Sequence, residues 1–356
     1  MLVSLLNMLL FACGGFVLMY FMYRPQVNKY EQTLEFKLPM LPLPYVLGLY
    51  ALGTIAMYFA VGVNDFIEPL TLARVLVPLL GALFIYIAFW VFGGLVFYVT
   101  VIFAVALTVY LQPLGVGAPF PQIPHYLLQI SAVILGAVFC LGSRVINILP
   151  HTVVIPFLTV LCGICTLCLA SSSPLFVGFG AALLAGILSA YLTLNYYTVK
   201  IDLDDGACVA LAYLVCNLLL MNFGEFSFPS CIIFTMFLWV ELIAAFWRRM
   251  FVSHSGLWRE NTNYYVAAEI FTLQGLSANI LRICLVLLFI GWFQLFSVNQ
   301  YSLLIVAFGL TLWLNNTHGQ RNAQSLKEIN KEFVAELKQN IKETKDLLTR
   351  KTKDDE

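Results

Sequence analysis

The chain has 356 residues, 61% of them hydrophobic and 11% charged, with a mean hydropathy of +0.89. Soluble domains carry about 25% charged residues, so a soluble globular fold is excluded. Basic and acidic residues balance at zero net charge, and nothing in the composition points to nucleic acid.

Apolar runs of about 18 residues or more recur, each long enough to cross a hydrocarbon core of about 30 Å. They must be helices, because an isolated strand cannot satisfy its backbone in lipid. The first predicted span, 2–23, has no basic residue before it and no small-residue cleavage site after it, so it reads as a retained helix, not a cleaved signal. A second follows at 43–61. The uncharged stretch 75–112 is too long for one tilted helix and divides at Gly93–Gly94 into 75–91 and 95–112. A Pro/Gly loop, "QPLGVGAPFPQIPH", precedes spans at 126–143 and 152–169. The remaining spans are 174–196, 206–222, 228–247, 277–296 and 301–315. The expected fold is therefore an all-α polytopic membrane protein of about 11 spans. Residues 1–316 form its transmembrane domain and 317–356 a charged tail.

Nine cysteines lie mostly inside the apolar runs, where they act as small hydrophobes. "CGICTLC" stacks Cys162, Cys165 and Cys168 on one helix face, but no fourth ligand lies close by, so it reads as packing. In the tail, Leu326, Ile329, Phe333, Leu337 and Ile341 recur at helical spacing between Glu and Lys. Such a helix could lie on the membrane, pair with a protein partner or extend into solvent.

Orientation follows from the positive-inside rule. With the N-terminus outside, every lysine and arginine except Arg74 falls on the cytoplasmic side.

That orientation places "LNYYTVKIDLDDGA", residues 194–207, at the cytoplasmic face. Its three carboxylates cannot be buried unpaired in lipid. Asp202, Asp204 and Asp205 either cap the helix that begins near Gly206 or form a Mg²⁺ site, since that ion takes carboxylate oxygens and completes its shell with water and phosphate. Arg144, Asn147 and His151 fall at a boundary on the same side. There Arg144 could contact phosphate or anchor a helix end by snorkelling.

The wider window resembles the N-x-x-P-A-x-x-F-x-G-D-x-G-S loop of the polyprenyl-phosphate N-acetylhexosamine-1-phosphate transferases, the superfamily of the MraY and WecA enzymes. Asn195 falls on its Asn and Asp205 on its Mg²⁺-contacting Asp, with Lys200 and Ile201 matching residues between. "VELIAAFWRRM" is similar to the family's P-hydrophobic-x-D…R-R helix end, with Glu241 on the acidic position and Arg248 and Arg249 on the basic pair. "SGLWRENTNYYV" lies over S-P-F-x-x-D-R-x-H-x-H-H, with Ser255 on Ser and Glu260 on Asp. "RPQVNKYEQTLEFKLPMLPLPYVLG" resembles the first cytoplasmic loop, and span number and orientation resemble the WecA branch.

The resemblance implies a bacterial inner-membrane protein of lipid-linked glycan assembly, handling polyprenyl phosphate and a UDP-sugar with Mg²⁺. It makes Asp205 the metal ligand, aided by Asp202 and Asp204, with Asn195, Lys200, Asn147, Arg248, Arg249 and Glu260 on substrate and phosphate. The departures fall on the chemistry. Where the family's D-D-x-x-D stands, this chain has Phe84, Ile85 and Ala88; N-x-x-D-G-x-D-G becomes "NILPHTVV"; and H-x-H-H becomes Asn263, Tyr264, Tyr265 and Val266. The expectation is an impaired transferase that binds lipid phosphate or a partner. An active enzyme with relocated carboxylates and a multi-pass transporter are the alternatives.

Overall fold

In a computed structural model, the structure describes residues 2–33, 43–61, 69–111, 124–147, 150–170, 175–195, 201–222, 228–247, 273–295 and 302–314. These residues are helical, with short connections. The helices are α1 (Leu2–Thr33), α2 (Leu43–Val61), α3 (Pro69–Val91), α4 (Gly94–Leu111), α5 (His125–Ile146), α6 (Pro150–Ala170), α7 (Leu175–Leu194), α8 (Asp205–Leu220), α9 (Phe228–Trp247), α10 (Leu273–Leu295) and α11 (Ser302–Leu314). Among the described residues, seven helices are long and apolar enough to cross a membrane: α1, α4, α5, α6, α7, α9 and α10. Exposed side chains such as Phe103, Ile134, Phe293 and Ile305 give the bundle an apolar outer surface, as lipid contact requires.

The split at Gly93–Gly94 is built into the backbone. Both residues have positive φ, 59° and 49°, a region that side-chain-bearing residues avoid. The Phe92 and Gly93 amides both fold back onto the Ala88 carbonyl, at 3.2 and 2.9 Å. This satisfies the last turn of α3 and frees the chain to reverse into α4.

The largest departure from the predicted ends is in α1, while α3 begins at Pro69, six residues before the expected start. α1 runs to Thr33, ten residues beyond the expected boundary and through Pro25. Met19, Tyr23 and Val27 are buried at successive spacings of four, so one face continues to pack after the apolar run stops. Pro25 itself is exposed and forfeits a single helix hydrogen bond.

α8 is the hub. Every residue from Gly206 to Leu220 is buried, and α3, α4, α5, α6 and α7 all pack against it. Its 16 residues span about 24 Å, less than the hydrocarbon thickness, but helices surround it and it need not match lipid. α1 lies along α7 through a seam of small residues, where Gly15 and Gly186 bring the two backbones together.

Candidate functional site

Helix ends build the site. The α5 end, carrying Arg144 and Asn147, meets the α8 start at Leu203–Asp205. The α4 start joins through Tyr98, the α3 end through Phe89, and the α7 end through Asn195. Successive helices thus bring alternate termini to one end of the bundle.

At the centre, the Arg144 Nε donates to Asp205 Oδ2 at 2.8 Å, with both side chains 26% exposed. Arg144 Nη1 donates to the Tyr98 hydroxyl at 3.2 Å, and the guanidinium lies 5.7 Å from the Phe89 ring centroid. A planar cation held by a carboxylate, a hydroxyl and a ring face is fixed in orientation. Arg144 is therefore a structural ion-pair partner and does more than anchor a helix end. Phe89 also covers the first turn of α8, since a Cβ on Gly206 would come within 2.6 Å of its Cδ1. Only glycine lets the ring approach so closely.

Asparagines hold the segment before α8. Asn147 Nδ2 donates to the Leu203 carbonyl at 2.8 Å. The Asn195 side chain accepts from the Ile201 amide at 2.9 Å and donates to its carbonyl at 3.2 Å, and the Tyr191 hydroxyl donates to the same carbonyl at 2.9 Å. The two residues expected on phosphate therefore shape the acidic loop.

Asp204 is the N-cap of α8: its Oδ1 accepts from the Ala207 amide at 2.8 Å, while its buried Oδ2 has no hydrogen-bond partner. Asp202 is half-buried nearby. Burial pushes the Asp204 carboxyl above its ordinary 3.8, opposed by the Ala207 and Gly206 amides and reinforced by Asp205 and Asp202. A folded value above the unfolded one means that this group favours the fold most below 3.8 and loses that contribution as pH rises through the folded value. Asp204→Asn keeps a capping oxygen and removes the charge. It is expected to remove the extra stability that this carboxyl adds at acid pH and leave neutral-pH stability equal or higher, whereas Asp204→Ala costs about 1 kcal/mol. Tryptophan-detected thermal unfolding across pH checks both.

His151, in the first turn of α6, is fully buried, and neither ring nitrogen has a hydrogen-bond partner. It lies beside the Asn195 backbone. Glu241 is buried in α9. Lys200, Arg248, Arg249, Glu260 and the Asn263–Val266 stretch lie outside the described residues, as does the tail helix. Of the positions matching the family's D-D-x-x-D, Phe84 faces outward at 61% exposure, while Ile85 and Ala88 are buried. Hydrocarbon occupies the interior face where carboxylates would stand. Phe89 and Tyr98 escaped sequence reasoning, since an aromatic in an apolar helix carries no signal of its partner.

The three aspartates do not fit a shared cation site. Among the described residues, no three His, Cys, Asp or Glu side chains gather as a metal-ligand set. Asp204 is committed to a cap and Asp205 to a guanidinium. A divalent ion on Asp205 about 4 Å from that guanidinium would be repelled by roughly 8 kcal/mol at an effective dielectric of about 20.

Fold and site together define a multi-pass helical membrane protein with a charged centre at one end of its bundle. No protein-family model matches the chain, and no curated protein matches it significantly.

Proposed function

We propose that the chain is a divergent member of the polyprenyl-phosphate sugar-1-phosphate transferase superfamily that binds a lipid phosphate and does not transfer sugar phosphate. It would lie in a bacterial inner membrane with eleven spans, N-terminus outside and charged tail in the cytoplasm, where the tail meets a protein partner. Its role is in lipid-linked glycan assembly.

The observation that carries this reading is that Asn147, Asn195 and Asp205, three positions of the resemblance, come together at one bundle end beside Phe89, while Ile85 and Ala88 earlier in the same helix are buried hydrocarbon. Joining two phosphate-bearing substrates requires their charge to be neutralised. Losing one electrostatic stabiliser lowers such rates by about 100- to 1,000-fold, and several are missing. Lipid binding needs less. A half-open apolar groove of about 380 Å³ runs between α5, α8 and α9, lined by Gly136, Phe139, Cys216, Thr235, Trp239 and Ile243. Its Ile243 end adjoins Leu242, which packs on Gly142 two residues before Arg144.

The test uses purified full-length protein. Native mass spectrometry is expected to show bound undecaprenyl phosphate, with no UMP released from UDP-N-acetylhexosamine and Mg²⁺. Steady UMP release abolished by Asp205→Asn would make the protein a working transferase. Solute flux through proteoliposomes without lipid binding would make it a transporter.

A further inference from the structure

We infer that Cys140 and Cys216 form a redox modification site, at which a hydroperoxide borne on a hydrocarbon chain and lodged in the groove between α5, α8 and α9 oxidises the two thiols to a disulfide. The inference uses neither the Arg144–Asp205 centre nor the lipid-phosphate reading, so the two stand or fall separately.

Among the described residues, two cysteines, Cys216 and Cys231, line the groove. Their surroundings differ. Cys231 has Cys168 for a neighbour, and the Cys168 thiol already donates to Asn222 Oδ1 at 3.4 Å. Cys216 has Cys140, whose thiol lies beside its own and is fully buried. The other groups near this pair are committed elsewhere: the Cys208 thiol donates to Ser143 Oγ at 3.6 Å, and the Tyr213 hydroxyl shares a 2.6 Å hydrogen bond with Thr108. Gly136, one turn before Cys140 on the same face of α5, lets the helices meet, since a Cβ there would lie 3.3 Å from Cys216 Sγ. Backbones this close suit a disulfide, which bridges Cα atoms about 4.4–6.8 Å apart.

The groove decides which oxidant arrives. It follows α9 from Phe228 to Ile243, about 22 Å at 1.5 Å per residue, and its rim residues Leu135, Ile243 and Phe308 are exposed on the outer surface that meets lipid. Its polar side chains are bonded within the protein. Trp239 Nε1 donates to Thr235 Oγ1 at 3.2 Å, and that hydroxyl reaches the Cys231 and Ile232 carbonyls at 3.1 and 3.0 Å. A long apolar slot, continuous with the lipid-facing surface, takes a hydrocarbon chain and turns away strongly hydrated reagents.

The chemistry proceeds in two steps. Cys216 Sγ attacks the outer peroxide oxygen, the O–O bond breaks, and the thiol proton leaves with the alkoxide as an alcohol. The sulfenic acid on Cys216 then condenses with Cys140: the S–S bond forms, and the sulfenic hydroxyl departs with the Cys140 proton as water. Two thiols lose two electrons, and one hydroperoxide becomes an alcohol and water. The product ties α5 to the hub helix α8.

The test treats the full chain in detergent with linoleic acid hydroperoxide or with hydrogen peroxide at equal concentration, and maps disulfides by non-reducing peptide mass spectrometry. A Cys140–Cys216 disulfide is expected from the fatty-acid hydroperoxide at least roughly 10-fold faster, because burial of the chain concentrates it in the groove. One hydroxy fatty acid should be released per disulfide. Cys140→Ala should keep the first step and leave a sulfenic acid on Cys216 that dimedone traps, whereas Cys216→Ala should abolish both steps. Ala132→Trp, which narrows the groove, should slow oxidation by the fatty-acid hydroperoxide and not by hydrogen peroxide. Equal rates from the two oxidants in the native protein overturn the groove route. Oxidation confined to Cys168 or Cys231, or no thiol oxidation, overturns the site, and these native-protein readouts decide even where a variant fails to fold.

Discussion

Gly186→Leu is expected to lower stability by about 3 kcal/mol, read as loss of the native transition in tryptophan-detected thermal unfolding in detergent. Gly14→Leu, on the open side of α1, should leave the transition unchanged. The difference lies in what a new side chain would meet. Any Cβ on Gly186 would fall on the Ala12 backbone carbonyl, and one on Gly15 would lie 2.7 Å from the Leu183 carbonyl oxygen, while nothing lies within 4 Å of Gly14. A flexible neighbour could turn away. A carbonyl inside a helix cannot, so α1 and α7 must separate. Between helices in lipid, close packing of small residues supplies much of the attraction. α1 depends on it heavily, because only 17% of its apolar window is buried. Alanine at 186 is already too large, and a normal melt for Gly186→Ala would mean that this seam does not hold α1 to the bundle.

Hydropathy made most of the helices legible, because twenty apolar residues admit few arrangements in a membrane. The Gly93–Gly94 break was readable for a stereochemical reason: the residues best able to adopt positive φ stood where one helix was too long. The end of α1 was not readable, since Met19, Tyr23 and Val27 extend the helix by packing on neighbours that no local pattern reveals. Nor was the central place of α8, whose composition matches that of lipid-facing helices. At the site, the Asp204 cap could be read from an aspartate just before an apolar run. The Arg144–Asp205 pair could not. The residues stand 61 positions apart, and an arginine at a helix end looks the same in sequence whether it snorkels to water or grips a carboxylate. Asn147 and Asn195 were recognised by resemblance, yet the structure shows them bonded to the backbone at Leu203 and Ile201.

Breaking the central ion pair should give the second large effect. Arg144→Met and Asp205→Asn are each expected to cost about 2 kcal/mol, between the near-zero worth of exposed pairs and the 3–5 kcal/mol lost when a fully buried pair is broken. The 26% exposure of each side chain places the pair between those limits. The double variant should lose less than the two singles summed, by about 1 kcal/mol, because the second change removes a charge that the first had stranded. Asp205→Asn leaves the guanidinium its Tyr98 and Phe89 contacts, whereas Arg144→Met withdraws a partner from Tyr98 as well and should be the costlier single change. A thermal-unfolding cycle over these four proteins, at low and high salt, separates a locked pair from a screened one. Coupling that vanishes at high salt would mean that water already separates the two groups. Coupling that survives salt would mean that the bundle end is built around the pair, with Phe89 and the α8 N-terminus held in place by one guanidinium.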